Sequence, residues 1–276
     1  MRLPASSGEI LDAFTTAVRG LQAEGKRVRL AMFETIVSVP GIRLPFEGLV
    51  AACKELGVWS LLDGAHGVGM IPLDLGALDC DFAVSNLHKW YYVPRGCCML
   101  YVPERNQEVV DSGIPTSWGY GMGKWSELFQ DNGTYDLSAY LSVGAALEWR
   151  ERVGGDGGEE GLMRYMWDVA EEGAKAFEEV VAGAEVVDGR DAGRCALVNL
   201  RLPVKVAEGD RAKVVGYIHE RLMEEFETFI SVFEYYGEIW ARVSGQIYLE
   251  RADFVKGAEA MAVLIKRIND GSWLEN

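Results

Sequence analysis

Basic residues are scarce in this chain. Lysine and arginine number 27 against 42 aspartates and glutamates, a formal net charge of -15. So acidic a balance argues against general nucleic-acid binding, which needs a basic face. Any anion site must therefore be local and built from a few donors. Histidine is scarcer still, with three residues in 276. The five cysteines are odd in number and scattered at Cys53, Cys80, Cys97, Cys98 and Cys195, without a CxxC pair. That pattern offers neither a disulfide framework nor a zinc knuckle, and it suits reduced, intracellular thiols. No apolar run is long enough to span a bilayer, and the opening MRLPASSGEILDAF lacks the continuous apolar stretch of a secretory leader. The expectation is a soluble, cytoplasmic protein with no membrane partner. There is no internal repeat and no low-complexity tract. With 49% apolar residues, the chain can build a substantial core in one large domain or two ordinary ones.

Helix and strand patterns alternate through the first half. Ser6 and Glu9 have capping-box spacing, and Ile10, Leu11, Phe14, Val18 and Leu21 follow at helical spacing. Residues 28–33 form a short strand-like run. Pro45 can open a helix and Gly57 can close it. Residues 58–62, 82–85 and 97–102 are further apolar runs of strand length, with a connector at 73–78. Continuous apolar strands alternating with helices indicate a largely parallel sheet. Residues 106–134 are rich in Gly, Ser, Thr and aromatics without periodicity, and a loop of that length is usually functional. Asp136 can cap the helix that follows. The glycine run at 154–158 is the clearest break. Beyond it come an amphipathic helix (about 162–181), a strand (195–202), a helix (210–226), a hairpin around Gly237 (229–235 and 239–244) and a last helix (about 254–268). This is a compact α+β pattern with antiparallel strands. The expected division is 1–153 and 154–276.

Two stretches gather the chemistry. Leu61-Leu62-Asp63-Gly64-Ala65-His66 and Ser85-Asn86-Leu87-His88-Lys89-Trp90 each close an apolar strand and hold two of the three histidines. Open α/β sheets bind ligands beyond the carboxyl ends of their strands. A lysine in a partly dry site near other cationic groups can lose its proton and act as an amine nucleophile; the plain alternative is a surface lysine whose stem snorkels. Pyridoxal phosphate needs an amine for its aldehyde and an acid for its ring nitrogen, which Lys89 and Asp63 can supply. Asp63-Gly64 alone would read as a turn. Asp63, His66 and His88 could instead hold a metal, but no fourth ligand is evident and Lys89 would repel the ion. Cys97-Cys98 reads as strand packing, and Trp90, Tyr91 and Tyr92 as core or rim aromatics.

The run DGAHGVGMIPLDLGALDCDFAVSNLHKWYYVPRGCCMLYVPE resembles the class V aminotransferases, pyridoxal-phosphate enzymes of fold type I. The similarity is strongest to the branches containing fungal-type sulfoxide lyases and isopenicillin N epimerase-like proteins, and it fades in the final third. The resemblance implies an α/β fold: a large domain with a mostly parallel sheet, plus a small C-terminal α+β domain. It implies pyridoxal 5'-phosphate as cofactor. Lys89 would form the internal aldimine, Asp63 would meet the pyridine nitrogen and His66 the phenolic oxygen. His88, with Asn86 or Ser85 more weakly, would contact the phosphate. The run Phe129-Gln130-Asp131-Asn132-Gly133-Thr134 resembles the loop that reaches a neighbouring subunit's phosphate through Gly133 and Thr134. Trp240-Ala241-Arg242-Val243-Ser244 resembles the strand whose arginine holds the substrate carboxylate, although an exposed strand arginine would look the same.

The implied activity is carbon–sulfur cleavage of an amino-acid substrate, with epimerisation or transamination as neighbouring chemistries. Desulfuration is disfavoured, since Cys195 opens an apolar strand instead of sitting on a mobile loop. Family members carry a preceding region with a phosphate cradle and a ring-stacking residue, and this sequence starts after both. The large domain is thus expected to be incomplete, with an open sheet edge and an exposed apolar face. A non-catalytic dimerising or regulatory paralogue is the reading from another class. Ile114, Trp118, Tyr120, Met122, Trp125, Leu128 and Phe129 are residue types enriched at interfaces, so a homodimer, or a heterodimer with a full-length relative, is expected.

Overall fold

The computed structural model describes residue 2 and residues 4–110, 124–129, 133–187 and 190–274. In chain order the first elements are α1 (Ser7–Ala23), β1 (Leu30–Glu34), β2 (Ile36–Val37), β3 (Ile42–Arg43), α2 (Phe46–Leu56), β4 (Trp59–Asp63), α3 (Leu75–Leu78), β5 (Phe82–Asn86) and β6 (Cys98–Tyr101). Next come α4 (Ser138–Leu141), α5 (Val143–Val153), α6 (Gly158–Val180), β7 (Glu185–Val187), β8 (Leu197–Arg201), α7 (Arg211–Phe226), β9 (Ser231–Tyr235), β10 (Glu238–Ser244) and α8 (Arg251–Asp270). The chain divides into two compact units, one of residues 11–35 and 45–153, the other of residues 1–10, 36–44 and 154–276. Residues 1–10 and 36–44 thus group with the C-terminal segment rather than with the segment that surrounds them in sequence.

The unit of residues 11–35 and 45–153 carries a sheet in the order β1-β4-β5-β6. β1, β4 and β5 run parallel, and β6 closes one edge antiparallel. Local chemistry sets the helix ends. The Ser6 hydroxyl accepts from Glu9 N at 3.2 Å while Ser6 N donates to the Glu9 carboxylate at 2.8 Å, the reciprocal cap of α1. Pro45 precedes α2, and Gly57 ends it in the left-handed conformation at φ 65°. Helix α2 buries Phe46, Leu49, Val50 and Cys53. Ser60, Leu62, Ala83 and Ser85 are buried on one sheet face. On the opposite face Leu30 is 44%, Met32 62% and Leu100 43% exposed. Among the described residues, the outer edge of β1 has no paired strand. Asp136 accepts from Ser138 N at 2.8 Å but stands one residue before the N-cap, which is Leu137, and the helix breaks at Ser142 into α4 and α5.

The other unit pairs an antiparallel sheet, in the order β7-β8-β10-β9, with α6, α7 and α8. Phe177, Leu200, Ile218, Leu222, Met261 and Leu264 form its centre. The hairpin turns at Gly237, φ 83°. Helix α6 begins about a turn earlier than the periodicity suggests, because residues 155–157 coil tightly and lead straight into it. Strands β2, β3 and β7 are two or three residues long, too short to leave a periodic signature. β2 and β3 pair with each other. The loop between them is tied to β8: Gly41 N donates to Asn199 Oδ1 at 2.7 Å, and Asn199 Nδ2 donates to Gly41 O at 3.0 Å.

Candidate active site

The parallel register sets Glu34 of β1 beside Asp63 of β4, so both acids close their strands at the same end of the sheet. The Asp63 carboxylate is oriented locally, with Oδ1 accepting from Ala65 N at 2.8 Å. Beyond it the chain coils sharply, with Gly67 N and Val68 N both donating to Gly64 O, at 2.8 and 2.9 Å. Glycine is required in this coil: a Cβ on Gly67 would lie 2.5 Å from Thr35 Oγ1. The coil places His66. At the end of neighbouring β5, the buried Ser85 hydroxyl lies 2.9 Å from both Gly64 O and Asn86 O, tying the two strand ends together. Residues 88–90 then form a turn that carries Lys89.

The two turns meet through side chains. Lys89 Nζ lies 3.3 Å from His66 Nε2, and the buried Trp90 donates its indole N–H to His66 Nδ1 at 3.3 Å. The Glu34 carboxyl is held above its usual range, chiefly by burial and next by the neighbouring Asp63 charge, while Lys89 pulls it the other way. Beneath the turns lies Arg150, fully buried. It donates to Trp90 O and, at 2.8 Å, to Gly69 O, and its guanidinium stands 4.6 Å from the centre of the Tyr91 ring and 5.6 Å from that of Tyr92. One side chain thus clamps the turn that bears Lys89 to the turn that bears His66.

The residues singled out from sequence fall as follows. Asp63, His66, Ser85, Asn86, His88 and Lys89 all lie on the two strand ends and their turns. Asn86 Oδ1 is buried and has no hydrogen-bond partner among the described residues. Gly133 and Thr134 are exposed, Gly133 at φ 99°. Gln130, Asp131 and Asn132 lie outside the described residues, as do Ile114, Trp118, Tyr120 and Met122. Trp125 and Phe129 are described, their rings 4.8 Å apart. Arg242 belongs to the other unit. It donates to Ser38 O at 2.6 Å, its buried Nε has no partner among the described residues, and burial pushes the guanidinium below its ordinary value. It helps line a cavity of about 280 Å³, with Phe229, Ile230, Tyr248 and Phe254. The third histidine, His219, accepts from Val232 N at 3.0 Å and serves the fold. Cys195 is buried with its thiol 3.4 Å from Leu197 O. Glu34, Trp90 and Arg150 are the site's unforeseen members. An acid closing an apolar run, the signal that marks Asp63, also marks Glu34.

The donor set fits pyridoxal phosphate. Lys89 offers an amine to an aldehyde, Asp63 offers a fixed carboxylate to a ring nitrogen, and the orphaned Asn86 oxygen offers a buried acceptor to an incoming donor. Comparison with known proteins agrees. Residues 17–163, just over half of the chain, match the family model described as Aminotransferase class-V. The chain belongs to the class V aminotransferase family. This family is pyridoxal-phosphate-dependent. Among curated class V relatives, the L-cysteine desulfhydrase-like protein lolT1 of Epichloe uncinata is 36% identical over 96% of this chain and 68% of its own length. Hercynylcysteine sulfoxide lyase of Schizosaccharomyces pombe is 30% identical over 82% of this chain and 56% of its own length. The chain therefore spans roughly two thirds or less of the length of these relatives. The fold also matches the apo structure of cysteine desulfurase from Thermococcus onnurineus NA1, with a TM-score of 0.70, 16% identity, and 93% and 63% of the two chains covered.

Proposed function

We propose that this chain carries the lysine-bearing site of a pyridoxal-phosphate enzyme that cleaves a carbon–sulfur bond of an amino-acid substrate. The observation that carries the reading is the meeting of Lys89 Nζ and His66 Nε2 at 3.3 Å beside the fixed Asp63 carboxylate. The names of the relatives, cysteine desulfhydrase-like and sulfoxide lyase, support the bond class. Bound pyridoxal phosphate would supply an electron sink for the carbanion left when an α-proton departs. Lys89 would hold the cofactor and, once freed, take that proton at Nζ. Asp63 would keep a proton on the ring nitrogen, and His66 would hold the phenolic oxygen. His88, Asn86, Ser85, Gly133 and Thr134 are proposed for the phosphate. Arg242 is proposed for a substrate carboxylate, because its unpartnered Nε–H and guanidinium geometry suit that group. Epimerisation by the same lysine is the second reading, supported by 32% identity to isopenicillin N epimerase of Amycolatopsis lactamdurans over 55% of this chain.

The protein is also proposed to be cytoplasmic, in keeping with its five free cysteines. It is proposed to associate, as a homodimer or with a full-length relative, which the exposed Leu30, Met32 and Leu100 support; sedimentation at micromolar concentration tests this, and a stable monomer overturns it. For the activity, the protein is mixed with pyridoxal phosphate and followed by visible absorbance. Sulfide and pyruvate release from L-cysteine is then measured. Lys89→Ala is expected to lose both signals, and absorbance that survives the substitution rejects the assignment.

A further inference from the structure

The hydrogen bonds around His66 determine where its ring proton sits. An indole N–H is a donor only, and a neutral imidazole has one acceptor nitrogen. Trp90 Nε1 donates to His66 Nδ1 at 3.3 Å, so Nδ1 is the acceptor and the ring hydrogen belongs on Nε2. That nitrogen is the one 3.3 Å from Lys89 Nζ. His66 therefore turns its Nε2–H toward the Lys89 nitrogen. What holds the arrangement is Trp90, which is 3% exposed and has its backbone carbonyl clamped by Arg150, so the indole cannot turn away to water.

We propose that Trp90 is a positioning residue that fixes the Nε2–H tautomer of His66, so that His66 presents a ring hydrogen on the side of Lys89, where an aldehyde would be captured. Capture would form the C–N bond from the Lys89 nitrogen lone pair, and the aldehyde oxygen would leave as water with two protons from that nitrogen. The functional half of this inference rests on the reading of Lys89 as the reacting amine, whereas the tautomer can be measured without any cofactor. With only three histidines in the chain, long-range proton–nitrogen NMR of the 15N-labelled protein at neutral pH can assign each ring. Wild-type His66 is expected to carry its hydrogen on Nε2. Trp90→Phe, which keeps the bulk but removes the donor, should mix the tautomers and slow capture of pyridoxal phosphate by roughly tenfold, the lower end of what losing the orienting partner of a metal-binding imidazole costs. A hydrogen on Nδ1 in the wild type overturns the proposal, and so does a Trp90→Phe variant with unchanged ring proton and capture rate. If Trp90→Phe fails to fold, the wild-type spectrum alone decides. If the wild type captures no pyridoxal phosphate, the functional reading fails while the tautomer result still stands.

Discussion

Arg150 and Arg242 are each sunk into their own unit, and they are held in opposite ways. Arg150 donates to two backbone carbonyls and lies against two tyrosine rings. Arg242 donates to Ser38 O, yet it keeps a buried Nε–H without a partner beside a cavity of about 280 Å³. Buried polar groups are nearly always paired, so an exception needs a reason. Burial alone therefore does not mark a functional arginine. A clamp is satisfied from within the fold, whereas Arg242, proposed for a substrate carboxylate, retains a donor that the described residues leave unused.

The comparison can be broken by substitution. Arg150→Met should cost the most, because it strips a charged donor from two buried carbonyls at about 1–3 kcal/mol each. Urea unfolding measures this, and an unchanged midpoint would show that Arg150 is no clamp. Arg150→Lys should not rescue it, since an ammonium cannot reproduce the forked donation. Arg242→Met should leave the midpoint equal or higher. It should lower kcat/KM for an amino-acid substrate by roughly tenfold to a hundredfold, the value of one or two hydrogen bonds to a charged group. A large loss of stability without that kinetic loss would make Arg242 a second clamp. Gly41→Ala should cost about 1–3 kcal/mol through overpacking, because the added Cβ would lie 2.6 Å from Leu197 Cβ and 3.1 Å from Arg242 Cδ. Kinetics would then separate displacement of Arg242 from simple strain.

The smallest effect concerns Glu34, whose carboxyl is raised first by burial. The folded protein binds that proton more tightly than the unfolded chain, so its stability falls as pH rises above the ordinary glutamate range. Glu34→Gln should therefore gain stability over the wild type at neutral pH, and the gap should close once pH drops below that range. Thermal melts at several pH values check the sign, and a loss at neutral pH would show that Glu34 is held by a partner that outweighs its burial.

Much of this is legible in the sequence. Pro45, Gly57 and Gly237 act where the chain punctuates, and the apolar runs ending at Asp63 and before Lys89 are strands whose ends lie together. Arg150 was not legible, because nothing in Glu-Trp-Arg-Glu distinguishes a buried guanidinium from a solvated one until Tyr91 and Tyr92 fold over it. The sequence leaves Trp90 as a core or rim aromatic, and it is buried. Its second role depends on a hydrogen bond across 24 residues, which spacing alone cannot reveal. The pairing of Gly41 with Asn199 was equally hidden, since β2 and β3 are too short to announce themselves.

That pairing spans 158 residues, which has a bearing on how the chain is made. At about 5–20 residues per second of synthesis, the loop bearing Gly41 emerges roughly 8–30 s before the side chain that will clasp it. Asn199 is almost entirely buried, so until it arrives the loop is an unclaimed ribbon inside a nascent chain that is otherwise free to fold. A ribosome stalled anywhere in that interval would display the segment to proteases and chaperones.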